Sequence, residues 1–310
     1  MEKRIVGDVV ARSPANPLVG IDHMPFACSD LWNAGVTCVD GTCIMLITVE
    51  RLEGRHAIYR ARSADGETFT IDETPFMAPA ADGPRAPYES AGLRDPRITF
   101  LEGVYYIVHV AEGDDGLRVA LGRTKDFGSV DWVSYATQVD VKNGALFPER
   151  IGGRYALLTR PNAGASIWMI YSDDLTFWGD PVPVMAPRPG YWDADRIGTA
   201  APPIATDRGW LVLYYGQKST SAGPLVRLGA ALLDRDDPAR VLARSNIPIL
   251  SPRERYERIG DVPNVVFSCG ALLADGVVTV YYGASDSVIC RGSAPLAEII
   301  GHCFRSAREF

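Results

Sequence analysis

The sequence has no uninterrupted apolar stretch that would serve as a signal peptide or as a membrane-spanning helix, which needs roughly 18 apolar residues. Its first residues, MEKRIVGDVVARSPANP, already mix charged, polar and apolar side chains. We therefore expect a soluble, cytoplasmic protein without a membrane partner.

The sequence also has no basic tract. Its 31 basic and 38 acidic residues give a net charge of −7 and are spread along the chain, which argues against nucleic acid as a partner. Glycine-rich loops of the Walker or dinucleotide-binding type are absent as well. An anion that binds this protein must therefore meet a local cluster of basic side chains.

The cysteines lack the spacing of a metal site or a disulfide framework, because no C-x-x-C or Cys/His ligand pattern occurs. Most of them lie in apolar, strand-like surroundings such as TCIMLI. We interpret them as reduced core residues and expect neither a metal nor a cofactor. The six are Cys28, Cys38, Cys43, Cys269, Cys290 and Cys303.

Amphipathic helices are scarce in this sequence. The apolar runs are short, bounded by Gly, Asp or Pro, and rich in Val, Ile, Tyr and Trp, which is typical of β-strands. Apolar residues make up 47% of the chain and charged residues 22%, as in a globular protein that buries a large core. The sequence therefore predicts an all-β protein, and its length of 310 residues leaves one or two domains open.

One pattern recurs five times: an Asp/Gly turn, an aromatic or aliphatic strand, a polar loop and a second strand. This periodicity suits four-stranded propeller blades, none of which buries both of its faces alone. We predict a single five-bladed β-propeller domain over residues 1–310; the alternative, a β-sandwich, does not predict five similar units. The turn glycines, spaced 50 to 67 residues apart, are Gly41, Gly103, Gly153, Gly209 and Gly276.

An aspartate stands out in the segment ESAGLRDPRITF, where Asp95 lies between Arg94 and Arg97 and directly before a proline. An isolated Asp-Pro pair commonly initiates a turn. Here the two arginines and the strongly apolar strand that follows indicate an acid fixed at the mouth of the propeller funnel, at the entrance to the second blade. A positioned acid is what glycosyl transfer needs.

Basic residues gather around the third and fourth copies of the pattern. Arg160 ends the apolar strand YALLT, where a buried guanidinium needs a partner, whereas Arg150 and Arg154 flank a Gly-Gly turn and are expected in solvent. Cationic groups and a phenol on neighbouring blades predict a phosphate pocket. The cations are Lys142, Arg160 and Arg196, and the phenol is Tyr215.

Two polar residues lie at corresponding positions of the first and last copies. Asn33 in LWNAGV and Asp286 in YYGASD would be neighbours in a closed propeller, so they are candidates for sugar binding, although turn chemistry alone accounts for either. Phe267 is a candidate for stacking on a sugar, with core packing as the alternative.

Five motifs in order resemble family 130 of the glycoside hydrolases, the β-mannoside phosphorylases, from about Asn16 to Ile289. They are GLRDPRI, NGALFPERI, W-D-x-x-R-I-G before Pro-Pro, DVPNVVFSCG and VYYGASD. The resemblance implies a five-bladed propeller that cleaves β-1,2- or β-1,4-linked mannosides with inversion. Inorganic phosphate would be the co-substrate, a mannose-containing disaccharide or oligosaccharide the substrate, and α-mannose 1-phosphate the product.

The resemblance also assigns roles. Asp95 would protonate the glycosidic oxygen through a hydroxyl of the bound mannose. The residues that would hold phosphate are Lys142, Asn143, Arg160, Arg196 and Tyr215. Arg196 stands where relatives often have lysine, and Tyr215 where many have histidine. Arg51 lies about three residues beyond the place of a family arginine. The expected sugar-binding residues are Asn33, Arg51, Arg97, Phe267 and Asp286.

Two other functions remain open on the sequence. One is an inverting β-mannoside hydrolase of the same family, which would need a second carboxylate as base. The other is a non-catalytic sugar-binding propeller. The sequence also leaves open a homo-oligomer.

Overall fold

The computed structural model describes residues 7–305, and within them the protein consists mostly of β-strands. Its helices are short: α1 (Arg255–Arg258), α2 (Leu296–Phe304) and the 3-10 turns Ile21–His23 and Ala86–Tyr88. The strands are β1 (Ala11–Arg12), β2 (Asp30–Val39), β3 (Thr42–Glu50), β4 (His56–Ser63), β5 (Thr70–Ile71), β6 (Gly92–Leu101), β7 (Val104–Gly113), β8 (Gly116–Thr124), β9 (Asp131–Tyr135), β10 (Val141–Leu146), β11 (Tyr155–Pro161), β12 (Ile167–Ser172), β13 (Gly179–Met185), β14 (Arg196–Thr199), β15 (Ile204–Thr206), β16 (Gly209–Thr220), β17 (Gly223–Leu233), β18 (Val241–Arg244), β19 (Val266–Ala274), β20 (Val277–Ala284) and β21 (Val288–Pro295).

These strands form four sheets. The largest has the order β2-β3-β4-β6-β7-β8-β9, with β5 beside β4, and is two antiparallel runs joined at one parallel pair, His56 with Gly92. The other three sheets have the orders β10-β11-β12-β13, β14-β16-β17-β18 with β15 beside β16, and β1-β21-β20-β19. The chain therefore makes five antiparallel groups in succession.

Buried apolar clusters lie between successive groups. Ile44 on β3 and Ile107 on β7 belong to one cluster, and similar clusters join the second group to the third, the third to the fourth and the fourth to the fifth. A further cluster contains Met45 of the first group and Tyr281 of the last. Each group thus buries both faces of its sheet against its two neighbours.

The two ends of the described chain meet in the last sheet, where β1 pairs with β21. The buried carboxylate of Glu257 lies at this junction and accepts hydrogen bonds from Arg12 at 2.7 Å and from the Tyr282 hydroxyl at 3.0 Å. Burial raises the pKa of Glu257, but Arg12 and two backbone N–H donors outweigh it and lower the pKa overall. Removing one partner of this buried pair would leave an uncompensated charge and would destabilise the junction.

The predicted turn glycines lie where the sequence pattern placed them. Four of them directly precede or begin the second strand of their group, and Gly153 lies two positions before β11; all five have positive φ angles between 72° and 129°. A residue without a Cβ adopts this left-handed region without strain. The repeat read from the sequence is therefore a true structural repeat.

The expectation that Asp95 lies at the entrance to a blade, and Asn33 ahead of one, was wrong in detail. Asn33, Asp95 and Asn143 lie inside β2, β6 and β10, at β-bulges where the register shifts. Their φ angles are 46°, 57° and 56°. A bulge residue in the left-handed region carries the same Asn/Asp signal as a turn residue, so the sequence pattern did not separate the two.

Four of the six free cysteines are buried, as the apolar surroundings predicted, but Cys28 is half-buried and Cys38 is exposed. Cys38 pairs with Cys43 next to the turn between β2 and β3. In residues 7–305 no helix has the length and apolar character to cross a membrane.

Candidate active site

The first strands of the five groups converge on a cavity of about 240 Å³. Eight of the eleven site residues predicted from the sequence line it, although they come from all five groups. These eight are Asn33, Asp95, Lys142, Asn143, Arg196, Tyr215, Phe267 and Asp286. The others that line it are Trp32, Arg94, Gln217, Val226, Val262 and Val265.

Asp95 is held on two sides. Its backbone N–H donates to the Thr48 hydroxyl at 2.9 Å, and its carboxylate accepts a 2.8 Å hydrogen bond from Nδ2 of Asn33. Burial raises the pKa of Asp95, but the positive charges of Arg94 and Arg97 and the Asn33 hydrogen bond outweigh it, so its pKa lies below the ordinary value. Asp95 is therefore a fixed carboxylate.

Two residues predicted to bind sugar lie away from the cavity lining. Arg97 is fully buried, and its guanidinium donates to the backbone carbonyls of Asp95 at 2.9 Å, Thr199 at 3.1 Å and Ala200 at 2.6 Å. It thereby ties the bulge of β6 to the end of β14. Arg51 is exposed and pairs with Glu53 at 2.7 Å.

Arg160 lies directly behind the cavity lining. It is completely buried; its Nε donates to Oδ1 of Asn143 at 3.3 Å and its Nη1 to Oδ1 of Asn162 at 2.5 Å. Its Nη2 has no hydrogen-bond partner among the described residues. Burial lowers the pKa of Arg160, which is the mark of a buried cation short of negative charge. An oxyanion would satisfy it.

Other donors surround the same point. The Tyr215 hydroxyl donates to Oδ1 of Asn143 at 3.3 Å, and burial raises the pKa of Tyr215 so that it stays protonated. Burial also lowers the pKa of Lys142, with help from Arg94, Arg160 and Arg196, to about 8. Negative charge placed here would reverse that destabilisation.

Gly198 makes this arrangement sterically feasible. A Cβ at this position on β14 would lie 2.5 Å from Cε1 of Tyr215 and 2.7 Å from Oδ1 of Asn143. Both contacts are shorter than van der Waals distance, so only glycine lets β14 approach the ring and the amide together. The glycine of the R-I-G motif is thus explained by the close approach of Tyr215 and Asn143.

The cavity lining also holds Asp286 and Phe267. Asp286 is half-buried and has a φ of 49°. Burial raises the pKa of Asp286 to about 7, and the negative charges of Asp95, Asp261 and Asp30 contribute. The Phe267 ring lines the cavity and also packs against Tyr215, with ring centroids 5.1 Å apart, so the stacking and packing interpretations are compatible.

Sequence reasoning left Trp32 and Arg94 out of the predicted site. Both directly precede a bulge residue, as Lys142 does before Asn143, and all three line the cavity. Their shared offset was a usable signal in the sequence. Gln217 and the three valines follow no such pattern, because they reach the cavity from the far ends of β16 and β17 and from the loop before β19.

Comparison with known proteins gives concordant matches. A family model described as beta-1,4-mannooligosaccharide phosphorylase matches residues 24–305. A 1,2-beta-oligomannan phosphorylase of Thermoanaerobacter sp. (strain X514) is 39% identical over 234 residues, which are 74% of this chain and 75% of the relative. A beta-1,4-mannooligosaccharide phosphorylase of Ruminococcus albus is 28% identical over 306 residues, covering 95% of this chain and 91% of the relative.

Among solved structures, the beta-1,2-mannobiose phosphorylase of Listeria innocua in complex with beta-1,2-mannobiose has a TM-score of 0.86. It is 29% identical, and the superposition covers 95% of this chain and 99% of that chain. The similarity therefore includes all five groups of strands and the cavity between them.

Proposed function

We propose that this chain, which belongs to glycoside hydrolase family 130, the family of the β-1,4-mannooligosaccharide phosphorylases, is a glycoside phosphorylase that cleaves β-mannosides with inorganic phosphate. The relatives named above act, by their names, on β-1,2-linked or β-1,4-linked mannosides. The substrate class is accordingly a β-1,2- or β-1,4-linked mannose disaccharide or oligosaccharide, and the product is α-mannose 1-phosphate.

One observation carries the choice of phosphate as acceptor. Nη2 of Arg160, which finds no hydrogen-bond partner in the part of the chain that the structure describes, lies behind Asn143 and Tyr215. Lys142 and Arg196 lie on the cavity lining beside them. A phosphate at this point would neutralise buried positive charge and accept charge-assisted hydrogen bonds. These five residues are the proposed phosphate-binding set.

The reaction needs a nucleophile and a proton donor on opposite sides of the anomeric carbon. An oxygen of phosphate attacks the anomeric carbon of mannose while the bond from that carbon to the glycosidic oxygen breaks, and the configuration inverts from β to α. The departing oxygen takes a proton that Asp95 supplies through a hydroxyl of the bound mannose. Asn33, Asp286 and Phe267 are proposed to hold that mannose.

Phosphate binding also prepares the acid. The neighbouring cations keep the pKa of Asp95 below its ordinary value, which disfavours the protonated form that a proton donor needs. A phosphate bound beside Lys142, one of the cations that lower the pKa of Asp95, adds negative charge close to the acid and raises that pKa. Protonation of the acid is thus coupled to the arrival of the nucleophile.

A five-bladed β-propeller is the proposed description of the whole fold. Five antiparallel groups follow one another, and apolar clusters join each group to the next and the first to the last. The pairing of β1 with β21 supports closure of the ring, since it places the start of the chain in the last group.

An inverting hydrolase is the second function that the same fold could carry. Such an enzyme needs a carboxylate to activate water on the face opposite the leaving group. The lining residues on the side of Arg160 are Lys142, Asn143, Arg196 and Tyr215, and none of these is acidic. Phosphorolysis is therefore the better supported reaction.

The decisive experiment incubates the protein with β-1,2-mannobiose and with β-1,4-mannobiose, with and without phosphate. We expect cleavage only when phosphate is present, with equal amounts of mannose and α-mannose 1-phosphate. Cleavage to two molecules of mannose without phosphate would establish the hydrolase. Binding of the sugar without cleavage under either condition would support the sugar-binding propeller.

A further inference from the structure

One wall of the cavity carries a tryptophan and an ion pair that transfer to phosphate does not use. Trp32 on β2 and Arg94 on β6 both line the cavity. Nη2 of Arg94 lies 2.8 Å from Oε2 of Glu112 on β7. The His56 ring packs edge-on against the Trp32 ring, with centroids 5.1 Å apart and planes 80° apart.

The guanidinium of Arg94 has a donor to spare. Its Nε is buried and finds no hydrogen-bond partner within residues 7–305. Because the guanidinium already pairs with a carboxylate through Nη2, the remaining N–H is suited to a neutral oxygen such as a sugar hydroxyl. Burial, and the charge of Arg94, lower the pKa of His56, so that this neighbour adds no positive charge at neutral pH.

The order of the strands decides which sugar would meet this wall. Inversion requires the attacking and the leaving oxygen to lie on opposite sides of the anomeric carbon. The proposed phosphate-binding residues are on β10, β11, β14 and β16, and Asp95 is on β6. Since β6 packs against β10 on one side and β2 on the other, Trp32 lies beyond Asp95 as seen from the phosphate.

We propose that Trp32 and Arg94 form the subsite for the leaving sugar, which is the acceptor of the reverse reaction, and that it takes a neutral sugar. The apolar ring of Trp32 packs against the C–H face of the sugar, and Nε of Arg94 donates to one of its hydroxyl oxygens. Glu112 acts as a positioning residue that fixes the guanidinium. The assignment rests on the proposed phosphorolysis.

The reverse reaction tests this subsite separately from the phosphate site. α-Mannose 1-phosphate and mannose are supplied as substrates, and the release of phosphate is measured while each concentration is varied in turn. The variants are Arg94→Met combined with Glu112→Gln, which leaves no unpaired carboxylate, and the milder Glu112→Gln alone. The control is Arg123→Gln, on the neighbouring strand β8, whose exposed guanidinium pairs with Asp131 at 3.7 Å.

We expect the double variant to raise the KM for mannose by about 10- to 100-fold, because a charge-assisted hydrogen bond to the sugar is lost. The KM for α-mannose 1-phosphate should stay within about twofold, Glu112→Gln should show a smaller effect of the same kind, and the control none. An increase in the KM for α-mannose 1-phosphate alone, or equal increases in both, would overturn the subsite. No turnover of α-mannose 1-phosphate by the unsubstituted protein would overturn the phosphorolysis itself and the subsite with it.

Discussion

Nδ2 of Asn33 donates a hydrogen bond of 2.8 Å to Oδ1 of Asp95. The two residues belong to different groups of strands, and each lies at a bulge of the first strand in its group. Two independent irregularities in two strands are therefore needed to make one contact. This contact both orients the carboxylate and lowers its pKa, so the acidity of Asp95 depends on the packing of β2 against β6.

Replacing Asn33 tests that dependence. Glycine is the right substitute because Asn33 has a φ of 46°, where alanine would add backbone strain. In Asn33→Gly the lost hydrogen bond raises the pKa of Asp95, and since Asp95 acts in its protonated form, the alkaline limb of the kcat/KM profile should move to higher pH. Turnover should fall by about 10- to 100-fold, as for a lost hydrogen bond to a charged group. If Asn33→Gly reduced turnover but left the pH profile of kcat/KM unshifted, the hydrogen bond from Asn33 would not lower the pKa of Asp95.

Arg160→Ala should raise the KM for phosphate by about 10- to 100-fold, because a charge-assisted contact of about 1.5–3 kcal/mol is lost. Arg160→Lys keeps the charge but loses the planar set of guanidinium donors, so its KM for phosphate should lie between those of the unsubstituted protein and Arg160→Ala. The matched control is Arg150→Ala, since Arg150 pairs with Glu102 on the surface at 2.7 Å and such pairs contribute little. An unchanged KM for phosphate in Arg160→Ala would refute the pocket.

Asp286 predicts a pH dependence of stability. Its pKa is raised to about 7 from the ordinary 3.8, so between these values the folded protein holds a proton that the unfolded chain has lost. Stability contributed by Asp286 is therefore present below pH 3.8 and is lost as the pH rises towards 7. Asp286→Asn removes this loss, and should raise Tm by about 2–4 °C at pH 8.5 and by less at pH 5. Equal changes in Tm at the two pH values would show that Asp286 is not protonated in the folded state.

The repeat and most of the site were predictable from the sequence because both depend on local signals. The turn glycines mark the start of each second strand, and Arg160 was identified by an apolar run that would bury its guanidinium. Eight of the eleven predicted residues line the cavity, since corresponding places in a repeat converge in space.

What the sequence did not supply depends on contacts between groups. The bulges that aim Asn33, Asp95 and Asn143 into the cavity carry the same residues as turns do. Arg97 was predicted at the sugar, but three backbone carbonyls, two of them more than a hundred positions away, accept its hydrogen bonds. Arg51 lies in an exposed turn, where the chain after β3 has already left the cavity.

The proton donor is the central claim, and Asp95→Asn tests it most directly. Asparagine keeps the size of the side chain and removes the ionisable proton. Turnover of β-1,2-mannobiose with phosphate should fall by about 10²- to 10⁴-fold, the usual contribution of general acid catalysis, while the melting temperature shows that the fold is kept.

The same variant is then given an aryl β-mannoside, whose leaving group departs with little protonation. If Asp95 donates the proton, the loss of turnover on the aryl mannoside should be smaller than the loss on the disaccharide by about tenfold or more. The reason is that a good leaving group needs only a small part of the rate enhancement that general acid catalysis provides. Equal losses on both substrates, or near-native turnover of the disaccharide by Asp95→Asn, would contradict the assignment.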